Sequence, residues 1–173
     1  MGFQFKIVNP KPVIETTKQK ANRAFSVAVK LYALDLEQMV IDKIAEVDAV
    51  DTGKLGKSIR SKIKKEAGKH IIEILSTQKY AVFVNSGINR GFKSALKKGF
   101  LGAKFPNISK IRSWVKRNLQ YTNLNTTTFL VARKIATKGI KAKPFYRLAY
   151  NQAKREAAGK IERYVKQILS ENK

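Results

Sequence analysis

The sequence predicts an α+β domain, with a long N-terminal helix and further helices packed on a small antiparallel sheet, and with a long basic loop. Three observations carry this. Apolar residues recur at three- and four-residue steps from Val13 to Val47, uninterrupted by Gly or Pro. The apolar period then drops to two across residues 59–76. Helical spacing returns in three stretches after Ile108.

Residues 3–8 alternate, with Phe3, Phe5 and Ile7 set against Gln4 and Lys6, as a short strand does. Pro10 and Pro12 end it, so residues 1–12 read as an N-terminal strand or arm. The long helix carries Ala21, Phe25, Ala28, Tyr32, Leu36, Met39, Val40 and Ile44 on its stripe. At 1.5 Å per residue it could reach roughly 50 Å, more than a small core needs. Part of it is therefore expected to pack on another subunit.

The chain turns at Val50-Asp51-Thr52-Gly53-Lys54-Leu55-Gly56-Lys57-Ser58-Ile59. Asp51 and Thr52 can bond their own backbone, and Gly53 can take a positive φ. Ile59, Ser61 and Ile63 then face one side, with Arg60, Lys62 and Lys64 on the other: a half-buried strand with a basic outer face. Glu66-Ala67-Gly68-Lys69 is a hairpin turn. Ile71–Ser76 returns as an inner strand, apolar on both faces, so residues 13–79 make a helix-plus-hairpin part. His70 is expected at the start of that strand, solvated. Tyr80–Val84 is too short for periodicity to separate helix from strand. Residues 85–107, rich in Gly and Lys, read as a long basic loop.

The helical part spans 108–173. Ile108, Ile111, Val115 and Leu119 form its first stripe, with Trp114 beside it and read as core. Phe129, Ala132 and Ala136 face inward on the second helix, which Gly139 caps. Pro144 opens the last helix, whose stripe begins at Phe145 and Leu148. The 173 residues read as a single domain.

Composition excludes several classes. Without cysteine there are neither disulfides nor thiolate metal sites, and His70 is the lone histidine, so no cofactor is expected. No apolar run approaches a membrane span, and no leader sequence opens the chain, so a cytoplasmic setting without membrane partners is expected. The net charge of +24 attracts polyanions. It is unevenly spread. Asp35, Glu37, Asp42, Glu46, Asp48 and Asp51 lie together with Lys43 as the one base among them, a block of −5, which leaves +29 elsewhere. No acid falls between Glu73 and Glu156. The acidic block is read as a subunit interface that meets a basic surface of a neighbour.

Asp51-Thr52-Gly53 matches the aspartic-protease tripeptide, but that chemistry needs two carboxylates sharing a proton, and the chain has no second copy. Gly56-Lys57-Ser58 looks like the end of a phosphate loop, but position 51 is Asp rather than Gly and a helix precedes it. Neither reading survives, and no enzyme is expected.

Three segments, in order, resemble the neck or tail-completion proteins of tailed bacteriophages. They are the 50–59 turn, Tyr80-Ala81-Val82-Phe83-Val84-Asn85-Ser86-Gly87, and Lys143-Pro144-Phe145-Tyr146-Arg147-Leu148-Ala149. Asn85, Ile88 and Leu148 depart from the family's usual Glu, Thr and Pro. The resemblance implies a structural virion protein, assembled in the host cytoplasm as a homo-oligomeric ring of about six or twelve copies. The ring would sit at the head–tail junction around the DNA channel, against portal or adaptor and tail proteins. It marks Asp51, Thr52, Gly53, Leu55, Ser58, Tyr80, Gly87, Trp114, Pro144 and Phe145 as fold and assembly residues. Arg90, Lys93, Lys97, Lys98 and Lys104 are the candidate contacts to the DNA backbone or a partner. The alternatives are a stand-alone basic nucleic-acid-binding protein and a tail terminator.

Overall fold

The computed structural model describes residues 2–8, 15–66, 69–87 and 107–171. In chain order the elements are β1 (Gly2–Val8), α1 (Glu15–Glu46), a 3-10 turn (Gly56–Ser58), β2 (Ile59–Glu66), β3 (Lys69–Ser76), α2 (Ala81–Ser86), α3 (Ile108–Asn118), α4 (Leu124–Lys138) and α5 (Phe145–Glu171). The expected α+β class holds. They fall into two compact units, Met1–Ala81 with Pro144–Lys173, and Val82–Lys143.

The sheet of the first unit is antiparallel, ordered β1-β3-β2. β3 is central, as its apolar run requires. Side chains alternate across the sheet, so register sorts them into two faces. Ile59, Ile72 and Ile74 are buried on the inner face, whereas Arg60, Lys62 and Lys64 are exposed on the outer one.

α1 lies against both that inner face and α5. It is buried on two stripes because it serves two neighbours. Toward the sheet, the Phe25 ring sits 5.5 Å from the His70 ring and Glu37 bonds Ser61. Toward α5, Tyr32 donates to the Ala153 carbonyl at 3.1 Å and Asp35 accepts from the Tyr164 hydroxyl at 2.6 Å. Fully buried Ala28, Ala149 and Ala153 have no bulk beyond Cβ to hold the helices apart. Phe3 on β1 closes one end, edge-on to Tyr146 and Tyr150 of α5.

His70 corrects the sequence reading. It does begin β3, but it is buried rather than solvated, and neither ring nitrogen has a hydrogen-bond partner among the described residues. Its cross-strand neighbours are Ile7 and Lys65. Burial, and secondarily the Lys65 charge, hold its pKa below the ordinary histidine value. The unfolded chain therefore takes up a proton first as pH falls. Stability should be full above roughly pH 6.5 and decline below it toward the folded pKa. Urea midpoints measured from about pH 7.5 to 5.5 should fall in the native chain and stay flat in His70→Leu. An identical decline in both would place the acid sensitivity elsewhere.

In the second unit, α3 packs on α4. Asn107 caps α3 through Ser109 and Lys110, and Asn123 caps α4 through Asn125 and Thr126. Gly139 stands past the α4 end at φ 81°, donating to the Ile135 carbonyl, as its position in the sequence suggested. The predicted stripes are only partly buried. Val115, Ala132 and Ala136 are inside, but Phe129 is 51% exposed and Ile108 and Leu119 are also exposed. The burial on α4 runs through Thr128, Ala132 and Ala136. One helical step separates Phe129 from Thr128, and that rotation puts the ring outside.

Candidate functional site

α1 stops well before the glycine of the turn, close to Val47 where the helical pattern of the sequence ends. Its stop is made two residues past Glu46 by Asp48, whose φ of 51° is left-handed. The Asp48 amide donates to the Ala45 carbonyl, and the Ala49 amide to that of Ile44, both at 2.9 Å. This is the paired-bond helix stop that usually takes Gly; Asp is one of the few other residues that tolerate it. No pattern of apolar spacing could have singled out Asp48. Its residue type was the available signal.

The second bend is at Gly53, φ 71°, with the Lys57 amide bonding its carbonyl at 3.1 Å. Leu55 and Ile59 are buried on either side of Ser58. Buried Ser58 is the hub. Its hydroxyl donates to the Leu55 carbonyl at 2.6 Å and meets the Ser76 hydroxyl at 2.7 Å, while its carbonyl takes the Thr77 amide at 3.2 Å. The motif therefore fixes how β2 leaves the turn and where β3 ends. Asp51 and Thr52 are exposed. Burial first, and the Asp51 charge second, raise the pKa of Tyr80, the residue that opens the second motif.

Tyr80 leads into α2, which settles the short element as a helix running through Asn85 and Ser86. Gly87 follows at φ 70°, and a Cβ there would lie 2.6 Å from the Ile140 carbonyl and 2.7 Å from the Ala142 amide. The Lys143 amide donates to the Val84 carbonyl at 2.9 Å. α2 is thus clamped to the segment just before Pro144. Phe145 is fully buried, Tyr146 is buried and its phenol is pushed up to about 12, and Trp114 and Pro144 are half-buried.

Four of the acidic residues have partners within the unit. Asp35 takes the Tyr164 hydroxyl and lies 3.7 Å from Lys160. Glu37 accepts both the amide and the hydroxyl of Ser61 at 2.6 Å, pinning α1 to β2. Asp42 accepts from Gln38 one turn back at 2.8 Å, and Glu46 pairs with Lys43. Asp35, Gln38, Met39, Asp42 and Lys43 with Gln152 and Lys160 line an open groove of about 320 Å³ between α1 and α5. Arg90, Lys93, Lys97, Lys98 and Lys104 lie outside the described residues, as does most of the predicted 85–107 loop. Among the described residues no group of acids and histidine could hold a metal ion, and no helix is long and apolar enough to cross a membrane.

Residues 13–87 match the family model described as "Bacteriophage HK97-gp10, putative tail-component". Over that segment the chain is similar to the HK97-gp10-like phage tail components. The matched span ends at Gly87, where the clamp on α2 closes. No curated protein and no solved structure matches the chain.

Proposed function

We propose that this HK97-gp10-like chain is a structural subunit of a tailed-phage virion, joining copies of itself head to tail into a ring at the head–tail junction, around the passage for DNA. The match over residues 13–87 carries the tail-component part of this reading. Charge supports the rest. Asp42, Glu46 and Asp48 crowd one end of α1, while residues 107–143 hold Lys110, Arg112, Lys116, Arg117, Arg133, Lys134, Lys138, Lys141 and Lys143 and no acid. Opposite patches on one chain favour heterologous contacts, which close into a ring when the rotation permits. The ring's neighbours would be portal or adaptor proteins on one side and tail proteins on the other. No catalytic role is assigned to any residue.

Reversing Glu46 and Asp48 to lysine should drop the mass of the assembly, by light scattering, toward that of one subunit. An unchanged mass would remove the head-to-tail contact. Antibody-gold label at the head–tail joint of purified particles is the expected location. The +24 charge favours one second reading, a stand-alone nucleic-acid binder. That reading requires label on free DNA and none on particles.

A further inference from the structure

We infer that the outer face of the three-stranded sheet is a binding site for the phosphate backbone of duplex DNA. Register builds it. Lys6 of β1 pairs with Ile71 and through it with Lys64 of β2; Gln4 pairs with Glu73 and then Lys62; Leu75 pairs with Arg60. Alternation puts these rows on the face away from α1, and Gln4, Lys6, Arg60, Lys62 and Lys64 are all exposed. Along β2 the cations recur at about 6.6 Å, and Lys6 stands across the sheet at about 10 Å, two strand spacings away. A hydrogen-bonded sheet holds those positions far more firmly than a loop does.

Two acids share this face: exposed Glu66 stands at the end of β2 opposite Lys69, and the one at the middle of the sheet does not oppose a phosphate. Glu73 is only 8% exposed, and its carboxylate accepts from Lys64 at 2.6 Å and from Gln4 at 2.7 Å. Those bonds, the Lys64 contact foremost, together with the nearby Lys62 charge, hold its pKa below the usual carboxylate range. Among the described residues no ion pair reaches Lys6, Arg60 or Lys62, and the Arg60 guanidinium donates to the carbonyl of neighbouring Ile59 at 2.6 Å. The five cations of this face, Lys6, Arg60, Lys62, Lys64 and Lys69, therefore exceed its two acids by three on a surface held by the sheet. A protein partner would want an apolar centre. Here the middle of the central strand is Glu73, and Leu75 sits at one end. Duplex DNA presents a charge every 1.7 Å of axis and asks only for cations in reach.

For its purpose, this site rests on the reading of the chain as a part that surrounds DNA. The test separates the two. The full chain is titrated with a fluorescent duplex of mixed sequence by anisotropy, at several salt concentrations from about 50 to 200 mM, and its assembly mass is measured on the same samples. Lys6→Gln/Arg60→Gln/Lys62→Gln should weaken binding and flatten the slope of log K against log salt by about 2.7, three contacts at about 0.9 each. Lys154→Gln/Arg155→Gln/Arg163→Gln, at exposed positions of α5 to which no contact is assigned, removes the same charge and should leave the slope nearly unchanged. Equal loss in both triples, no loss in the sheet triple, or no duplex binding by the native chain would overturn the site. A native chain that binds DNA through the sheet yet never self-associates would overturn the ring alone. Should the sheet triple fail to fold, slower acetylation of Lys6 and Lys62 in the native chain when duplex is bound is expected. Unchanged acetylation rates would overturn the site.

Discussion

Replacing Gly87 with alanine should destabilise the Val82–Lys143 unit by about 3 kcal/mol or more. Two costs add. A residue with Cβ pays about 1 kcal/mol to hold a left-handed φ of 70°. Its Cβ would also lie 2.6 Å from the Ile140 carbonyl oxygen and 2.7 Å from the Ala142 nitrogen, and both are backbone atoms that cannot rotate away. The clamp that would have to open includes the bond from the Lys143 amide to the Val84 carbonyl. Gly53→Ala is the control. Gly53 has a similar φ of 71°, but nothing lies within 4 Å of where its Cβ would stand, so its replacement should cost only about 1 kcal/mol. Urea unfolding gives both numbers, and hydrogen exchange should show the Lys143 amide losing protection in Gly87→Ala alone. Equal costs at the two glycines would mean that crowding at residues 140–142 contributes nothing.

Much of the first unit can be read from the sequence because its periods are long and uninterrupted. A stripe of more than thirty residues places α1, and the helix spans Glu15–Glu46. The β2 alternation places Arg60, Lys62 and Lys64 on the outer face, where they are. What the sequence withholds are features set by tertiary neighbours. His70 has the composition of a solvated turn around it, yet Phe25 covers it from α1. The pairing of β1 with β3 needs a partner more than sixty residues away, and nothing local announces it. α3 and α4 are short, so stripes of four and three residues fix their rotation poorly, and Phe129 is exposed rather than inward. The site is legible as motifs and illegible as mechanism. Gly53 and Gly87 are visible as glycines. That one bends the chain in open space while the other is held against backbone appears only in three dimensions. The acidic block likewise reads as a single interface, whereas Asp35 and Glu37 are bonded to α5 and β2 within the unit.

The second large effect is expected at Tyr32, where two substitutions separate packing from polarity. Tyr32 is fully buried between α1 and α5, and its hydroxyl donates to the Ala153 carbonyl at 3.1 Å. Burial, with the charges of Glu156 and Asp35, raises its phenol well above the ordinary tyrosine value, so it stays neutral throughout the working range. Tyr32→Ala removes the ring from a contact lined by Ala153 and other small residues that cannot expand to fill the space. About 4 kcal/mol should be lost, at the upper end for aromatic truncation if the helices cannot close on the cavity. Tyr32→Phe keeps the ring and deletes one hydrogen bond to a carbonyl that its own helix can still serve, so about 1 kcal/mol should go. The pair also reports on assembly. α1 holds the sheet on one side and α5 on the other, so a loosened α1–α5 contact should lower the mass of the assembly along with the urea midpoint if the ring needs α1 held rigid. Should Tyr32→Phe cost as much as Tyr32→Ala, the hydroxyl rather than the ring would be what joins the two helices.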